Sequence, residues 1–325
     1  MSETGPLTLA MFGTGDFAVP TFLGLLDGPH RVAALYTQPE RGGAGRHQHA
    51  ESAIKRAALE RGVAVRQPPN INTEESLAEL RALAADVFVV AAYGQLLSPA
   101  FLAIPRLRTI NVHASVLPRW RGASPINHAI WKGDAESGVT IIEVTPGLDA
   151  GPMLAVEKTP ILPTDTAATL EPRLAAMGPR LVATVLEELR LGRAVGVPQD
   201  PVLVTRSPKL RKEQGRIDWT HSAREIDCQV RGLQPWPVAD TLLPRPGKPP
   251  LRIAVLEVTV LNKELSETPP GTVLDRGKSR LVVSTGDGLI EIRRLQAEGK
   301  RLLAAEEFLR GIPIPPGTRL GESVA

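Results

Sequence analysis

Cysteine is nearly absent. Cys228 stands alone among 325 residues, which excludes an internal disulfide and a cysteine-rich metal site. No apolar run approaches the length needed to cross a bilayer. The opening Met1-Ser-Glu-Thr-Gly-Pro lacks the basic and apolar parts of a signal peptide, so a cytoplasmic protein is expected. No serine or cysteine occupies a recognised nucleophile elbow, which argues against a covalent hydrolase. Gly13-Thr-Gly15 lacks the third glycine of a dinucleotide fingerprint. No acidic residue closes the second apolar run, which ends in Tyr36-Thr-Gln38. These gaps weigh against bound NAD and leave a tight strand-to-helix turn, able to touch a polar or anionic substrate at the helix start.

What is present is the balance of a folded soluble protein, 42% hydrophobic and 22% charged, long enough for two domains with real cores. The net charge of +3 is unevenly placed. Up to Arg206, 19 Lys and Arg face 20 Asp and Glu, whereas from Ser207 onward 19 face 15. A mildly basic second half suits a polyanion. His47 and His49 could suggest a metal pair, but in their Gly-rich loop they read as a solvated turn.

Hydrophobic patterning predicts strands over 7–12, 31–36, 86–92, 109–113 and 138–144. It predicts helices over 17–26, 51–61 and 73–84, the last opened by a Thr73 cap before Glu74 and Glu75. Residues 86–92 form a near-continuous apolar run, as in a parallel strand covered on both faces. This alternation implies an α/β fold with an open, mostly parallel Rossmann-like sheet, and ligands beyond the carboxyl ends of its strands. A helical pattern over 165–191 is interrupted by Pro172 and Pro179. Residues 192–201 read as a connecting stretch and 209–216 as an exposed basic link; a helix restarts over 220–230. From 251 the texture is of short β-runs (251–260, 271–274, 280–284 and 289–295), as in a second, smaller OB-like β-barrel domain. The domains are placed at 1–207 and 208–325. Residues 244–250, with four prolines, read as a stiff external loop.

The chemistry concentrates in Asn111-Val-His-Ala-Ser-Val-Leu-Pro-Arg-Trp-Arg-Gly-Ala-Ser-Pro-Ile126 and Pro146-Gly-Leu-Asp149-Ala-Gly151. Asn111 and His113 are two apart, so on an extended backbone both side chains face one way. An amide donor and an imidazole then stand together, and Asp149 in its turn could orient the imidazole or accept a proton through water. Such a set can polarise a carbonyl and stabilise the oxyanion that follows. On spacing alone a satisfied core histidine and two turn residues are the lesser reading of the same residues.

The chain resembles the methionyl-tRNA formyltransferases, the tRNA branch of the 10-formyltetrahydrofolate-dependent formyltransferase family. The resemblance runs through Phe17-Ala-Val-Pro20, Thr37-Gln-Pro39, Ala92-Tyr-Gly-Gln-Leu-Leu97, the 111–126 block, Gly138-Val-Thr-Ile-Ile142, Gly147-Leu-Asp149, Gly215-Arg-Ile-Asp-Trp219 and Gln234-Pro-Trp-Pro237. It implies transfer of a formyl group from 10-formyltetrahydrofolate to the α-amine of methionine charged on initiator tRNA, with no metal. Asn111 and protonated His113 would donate to the oxyanion, and Asp149 would hold His113 and help take the amine proton. The resemblance also implies a folate crevice formed by Tyr93, Gly94, Gln95, Leu96 and Leu97 with Ser115, Leu117, Pro118, Val144 and Gly147. For tRNA contact, Arg46 and Lys209 match family positions, Arg119 and Arg121 flank Trp120 in a way that suits phosphate contact or stacking on the tRNA end, and Arg41, Arg211, Lys212 and Arg216 are further candidates. Residues 38–51 resemble the family's insertion loop with Arg46 at its core, but His47 and His49 stand where the family usually has a lysine pair. A monomer is expected.

Four alternatives keep a place, one of them, a plain NAD enzyme, on fold grounds only. A formyltransferase acting on a sugar nucleotide or small amine-bearing ribonucleotide would use the same three residues. Hydrolysis of the formyl donor would normally bring a regulatory domain ahead of the catalytic one. A non-enzymatic RNA-binding protein would have no need of Asn111, His113 and Asp149 together.

Overall fold

The apolar runs of the first half become strands of one sheet in the computed structural model, which describes residues 5–40, 52–261, 267–277 and 279–321. Arg41, Arg46, His47 and His49 lie outside the described residues. In chain order the elements are β1 (Thr8–Gly13), α1 (Ala18–Asp27), β2 (Arg31–Tyr36), α2 (Ala53–Glu60), β3 (Ala64–Arg66), α3 (Glu74–Ala82), β4 (Val87–Ala91), α4 (Pro99–Leu102) and β5 (Arg108–His113). Next come β6 (Arg121–Gly122), α5 (Pro125–Trp131), β7 (Glu136–Glu143), β8 (Met153–Pro160), α6 (Ala167–Ala175), α7 (Gly178–Arg190) and β9 (Arg206–Ser207). The seven-stranded sheet has the order β3-β2-β1-β4-β5-β7-β8. Its first five strands are parallel, β7 runs antiparallel to β5, and β8 runs antiparallel to β7. This is the mostly parallel Rossmann-like sheet that the patterning implies.

β4 is buried along its whole length, as a central strand must be. Phe12, Phe88 and Phe101 pack with Tyr36 and Tyr93 on one face of the sheet, with ring centroids 4.9–5.6 Å from that of Phe12. α3 starts where its cap predicts: the Thr73 hydroxyl accepts from Ser76 N at 3.2 Å, with two glutamates in the first turn and Arg81 in the last. Pro172 lies inside α6, so it does not break the pattern. The break falls at Ala176 and Met177, and Pro179 sits in the first turn of α7, where its missing N–H costs nothing. Strand β8 went unread in the sequence because Glu157 and Lys158 interrupt its apolar content, which an edge strand tolerates.

The chain divides into two compact units. Ile126–Ala135 and Ile161–Leu170 group with Lys209–Ala325, and the remainder forms the other unit. The short pieces attach within the second unit through close contacts. Asn127 Nδ2 donates to Gly232 O at 2.8 Å, Arg231 Nη1 donates to Asp165 O at 3.0 Å, and a Cβ on Gly232 would lie 2.7 Å from Trp131 N.

The second unit continues with α8 (Ala223–Gly232), β10 (Ala239–Arg245), β11 (Lys248–Leu261), β12 (Val273–Leu274), β13 (Leu281–Ser284), β14 (Leu289–Ala297), β15 (Leu303–Ala304) and α9 (Ala305–Gly311). The strands form a curled antiparallel half-barrel in the order β10-β11-β14-β13-β12, with β15 on β14, in keeping with the OB-like expectation. Its core includes Ile226, Val230, Val255, Val283, Ile290 and Leu295. α8 begins at Ser222, which exchanges hydrogen bonds with Glu225 in a capping box, rather than at Thr220.

Two expectations are corrected here. Residues 244–250 are not an external loop but the tip of the β10–β11 hairpin, with Arg245 opposite Lys248. β10 is an edge strand and its register shifts between Leu243 and Arg245, and an edge or a bulge is where a strand accepts proline. The link at 209–216 is only partly exposed, because Leu210 and Gly215 are buried. Among the described residues no helix is long and apolar enough to cross a membrane.

Candidate active site

Residues two apart on a strand share a face, and on β5 this brings Asn111 and His113 to the same carboxylate. Asp149 Oδ1 lies 3.5 Å from Asn111 Nδ2, and Asp149 Oδ2 lies 3.7 Å from His113 Nδ1. The same Oδ2 accepts the backbone N–H of Gly122 at 2.9 Å. Asp149 adopts the left-handed region at φ +47°, a conformation in which Asp is enriched among non-glycine residues. Two residues of β5 and one from the loop after β7 thus converge within the first unit.

The imidazole is 5% exposed, and its other nitrogen is committed. His113 Nε2 lies 3.0 Å from the carbonyl oxygen of Trp120, which can only accept, so Nε2 carries a proton. Nδ1, facing Asp149, is therefore a lone pair in the neutral ring and a donor only in the cation. Burial pushes the imidazole below the usual histidine range, while the Asp149 carboxylate and the Trp120 carbonyl pull it back up. Protonation of this ring works against desolvation and with Asp149.

Trp120 has φ +62°, uncommon for a bulky residue, and its peptide is held at both ends. Its N–H donates to Thr205 Oγ1 at 2.8 Å, and its carbonyl also accepts from Ser207 Oγ at 2.9 Å. The indole is 8% exposed, so it is no open stacking platform; Arg119 is exposed and lies 5.0 Å from the ring centroid. Arg121 is half-buried and donates from Nε to Gln199 Oε1 at 2.9 Å. Lys209, Arg211, Lys212 and Arg216 are exposed, and Arg216 is ion-paired to Asp240 at 3.2 Å.

The residues of the expected folate crevice fall into two groups. Tyr93 turns its ring into the core and is 2% exposed. Burial drives its phenol far above the usual range, and its carbonyl accepts from Gln38 Nε2 at 3.0 Å. Gln95 spends its amide on Ile71 N and Pro68 O, and Ser115 donates to Arg119 O. Leu117 is buried and Leu97 packs on the core. In contrast, Gly94 and Gly147 are exposed, Pro118 and Val144 are half-buried, and Leu96 is 84% exposed. The sequence reading missed Gln199, whose Nε2 donates to the carbonyls of Asp149 and Gly151, both at 2.8 Å. It also missed Thr205 and Ser207. Leu148, within the expected 143–149 side of the crevice, is exposed. Among the described residues no group of three or more His, Cys, Asp or Glu is placed to hold a metal.

Comparisons with known proteins cover both halves of the chain. The formyl transferase family profile covers residues 7–186, and the formyl transferase C-terminal domain profile covers 209–313. The chain is 45% identical to the methionyl-tRNA formyltransferase of Gluconobacter oxydans over 97% of its own length and 100% of that protein. It is 45% identical to that of Hydrogenovibrio crunogenus over 94% and 96%, respectively. Among solved structures it resembles an N-formyltransferase from Helicobacter canadensis (TM-score 0.64, 18% identity, 90% of this chain and 99% of that one). It also resembles HypX from Aquifex aeolicus (TM-score 0.62, 19% identity, 96% of this chain), of which it spans about half, 49%. At that identity the likeness is one of fold. On the strength of the near full-length relatives, the chain belongs to the methionyl-tRNA formyltransferase family.

Proposed function

We infer that this protein transfers the formyl group of 10-formyltetrahydrofolate to the α-amine of methionyl initiator tRNA, giving N-formylmethionyl-tRNA for translation initiation. The observation that carries the chemistry is the convergence of Asn111, His113 and Asp149. The acceptor follows from the relatives, 39–45% identical over nearly the whole chain.

The folate co-substrate supplies an already activated formyl group, so the side chains need only bind, orient and move protons. Asn111 Nδ2–H and His113 Nδ1–H donate to the oxygen of the formyl carbon as the amine attacks and negative charge develops there. Asp149 favours the imidazolium at that moment and takes the amine proton through water, while the departing folate nitrogen regains one. The exposed Leu96 on the loop after β4 and Leu148 (56% exposed) on the loop after β7 fit an apolar ring. We assign folate binding to these loops. Gly94, Pro118, Val144 and Gly147 contribute at the surface, while Tyr93, Gln95, Leu97, Ser115 and Leu117 shape the crevice from within.

We assign tRNA contact to Arg119, Arg121, Lys209 and Arg211, together with Arg41 and Arg46, which lie outside the described residues. In this reading residues 1–207 carry catalysis and 208–325 grip tRNA. The protein works as a monomer in the cytoplasm, where charged tRNA is found.

The test incubates the protein with 10-formyltetrahydrofolate and Met-charged initiator tRNA and assays formyl-methionine after deacylation. Uncharged tRNA and His113→Ala run in parallel. Product only with charged tRNA and intact His113 supports the reading. No product from folded protein with intact donor moves the acceptor to an amine-bearing nucleotide or sugar nucleotide.

A further inference from the structure

The carboxylate of Asp149 can act only if it keeps its aim, and its own turn does little to hold it. The turn is closed by a long bond, Ala150 N to Gly147 O at 3.3 Å, and Asp149 itself is at φ +47°. A residue held in a sparsely populated backbone region persists when its surroundings over-determine it. Gln199, 50 residues further along, does this. Both N–H groups of one amide donor serve the turn, reaching the Asp149 and Gly151 carbonyls at 2.8 Å each.

The acceptor end of the same side chain completes a circuit. Gln199 Oε1 takes the Nε–H of Arg121, and the next residue, Gly122, donates its N–H to Asp149 Oδ2. The ring therefore runs from the Asp149 main chain through Gln199 and Arg121 to Gly122 and back to the Asp149 carboxylate. It fixes the carboxylate relative to its own backbone and leaves the other oxygen for Asn111.

We propose that Gln199 is a positioning residue for formyl transfer, acting through Asp149 by closing this ring. The proposal rests on the reading of Asp149 given above. It assigns Gln199 no contact with substrate. Its amide is required because only an amide offers two donors to the paired carbonyls and an acceptor to Arg121. A carboxylate of the same length would keep the Arg121 bond but face two carbonyls with no proton to share.

The experiment compares the native full chain with Gln199→Glu, Asp149→Asn and the double variant, with both substrates saturating. Gln199→Glu should lower kcat about 10- to 100-fold, the scale of a misplacement near 1 Å, with KM for both substrates near native. On the Asp149→Asn background the same change should cost under about 2-fold, since the two act as one unit. A merely structural glutamine would multiply the losses, and that result overturns the proposal, as does native kcat in Gln199→Glu beside an impaired Asp149→Asn. Native kcat in Asp149→Asn overturns the Asp149 reading and this proposal with it. Thermal unfolding checks that each variant folds. Should Gln199→Glu not fold, the neutral Gln199→Leu carries the same comparison, and failure of both to fold makes Gln199 a residue of the fold and overturns the proposal.

Discussion

His113 Nε2 stands 3.0 Å from the Trp120 carbonyl oxygen, and this contact settles what the other nitrogen can do. With Nε2–H committed, Nδ1 donates only from the imidazolium and accepts only from the neutral ring. The folded imidazole is held low chiefly by burial, against the pull of Asp149.

That relationship has a sign that can be checked. Unfolded, the imidazole titrates near its ordinary value of about 6.5; folded, it titrates lower. The stabilisation from keeping this ring neutral is fully present above the unfolded value and is lost as pH falls through the folded one. Between about pH 7.5 and about pH 5.5 the thermal midpoint of the native protein should fall further than that of His113→Gln. In an NMR titration the His113 pKa should lie below 6.5, and Asp149→Asn should lower it again by removing the charge that raises it. A His113 pKa above 6.5 would contradict the geometry.

Tyr93 and Leu96 should separate stability from folate binding. The Tyr93 hydroxyl is buried with no hydrogen-bond partner among the described residues, whereas Leu96 is 84% exposed. Tyr93→Phe should therefore change stability by less than about 1 kcal/mol and leave the folate KM unchanged, since the ring enters the core and not the site. Leu96→Ala should leave the thermal midpoint in place and raise the folate KM several-fold. Reversal of the two effects would put the phenol, not the leucine, against the folate.

Gly122 is a position where any side chain collides. At φ +128° an added Cβ would sit 2.6 Å from the Ser207 carbonyl oxygen, between β6 and β9. The backbone strain alone is worth about 1–3 kcal/mol. Because the Gly122 N–H holds Asp149 Oδ2, Gly122→Ala should lose kcat even at temperatures where circular dichroism shows it folded. Native kcat in a folded Gly122→Ala would mean that this N–H does not aim the carboxylate.

Local pattern made much of the site legible in the sequence. Asn111 and His113 are readable because period two is a property of any extended strand, and Asp149 because its Gly-Leu-Asp-Ala-Gly turn is a local motif. Gln199 carried no such signal: it lies in a stretch that reads as a connector, and its partners are 48 to 78 residues away. Trp120 and Tyr93 show the limit of local pattern. Their sequence surroundings do not say whether the rings are exposed, because burial is decided by tertiary packing, and both rings go inside. The prolines at 244–250 likewise read as a loop because nothing local says that Pro244 lies on an edge strand or that Pro249 and Pro250 precede the pairing of β11 with β14, which starts at Ile253.

The exposed cations of the second unit should act on tRNA and leave the chemistry alone. Lys209 and Arg211 lie on the surface, in a half of the chain with four more basic than acidic residues. A phosphate contact releases counterions, so each lost contact lowers affinity by an amount that shrinks as salt rises. Lys209→Ala and Arg211→Ala should each raise the KM for charged tRNA and reduce the log–log salt slope of tRNA binding by about 1, with folate KM and kcat unchanged. The measurement is filter binding of initiator tRNA across a salt series, beside steady-state kinetics with each substrate varied. A weaker KM with an unaltered salt slope would remove these two residues from the phosphate contacts. A lower kcat would instead place them close enough to the charged end of the tRNA to orient its amine.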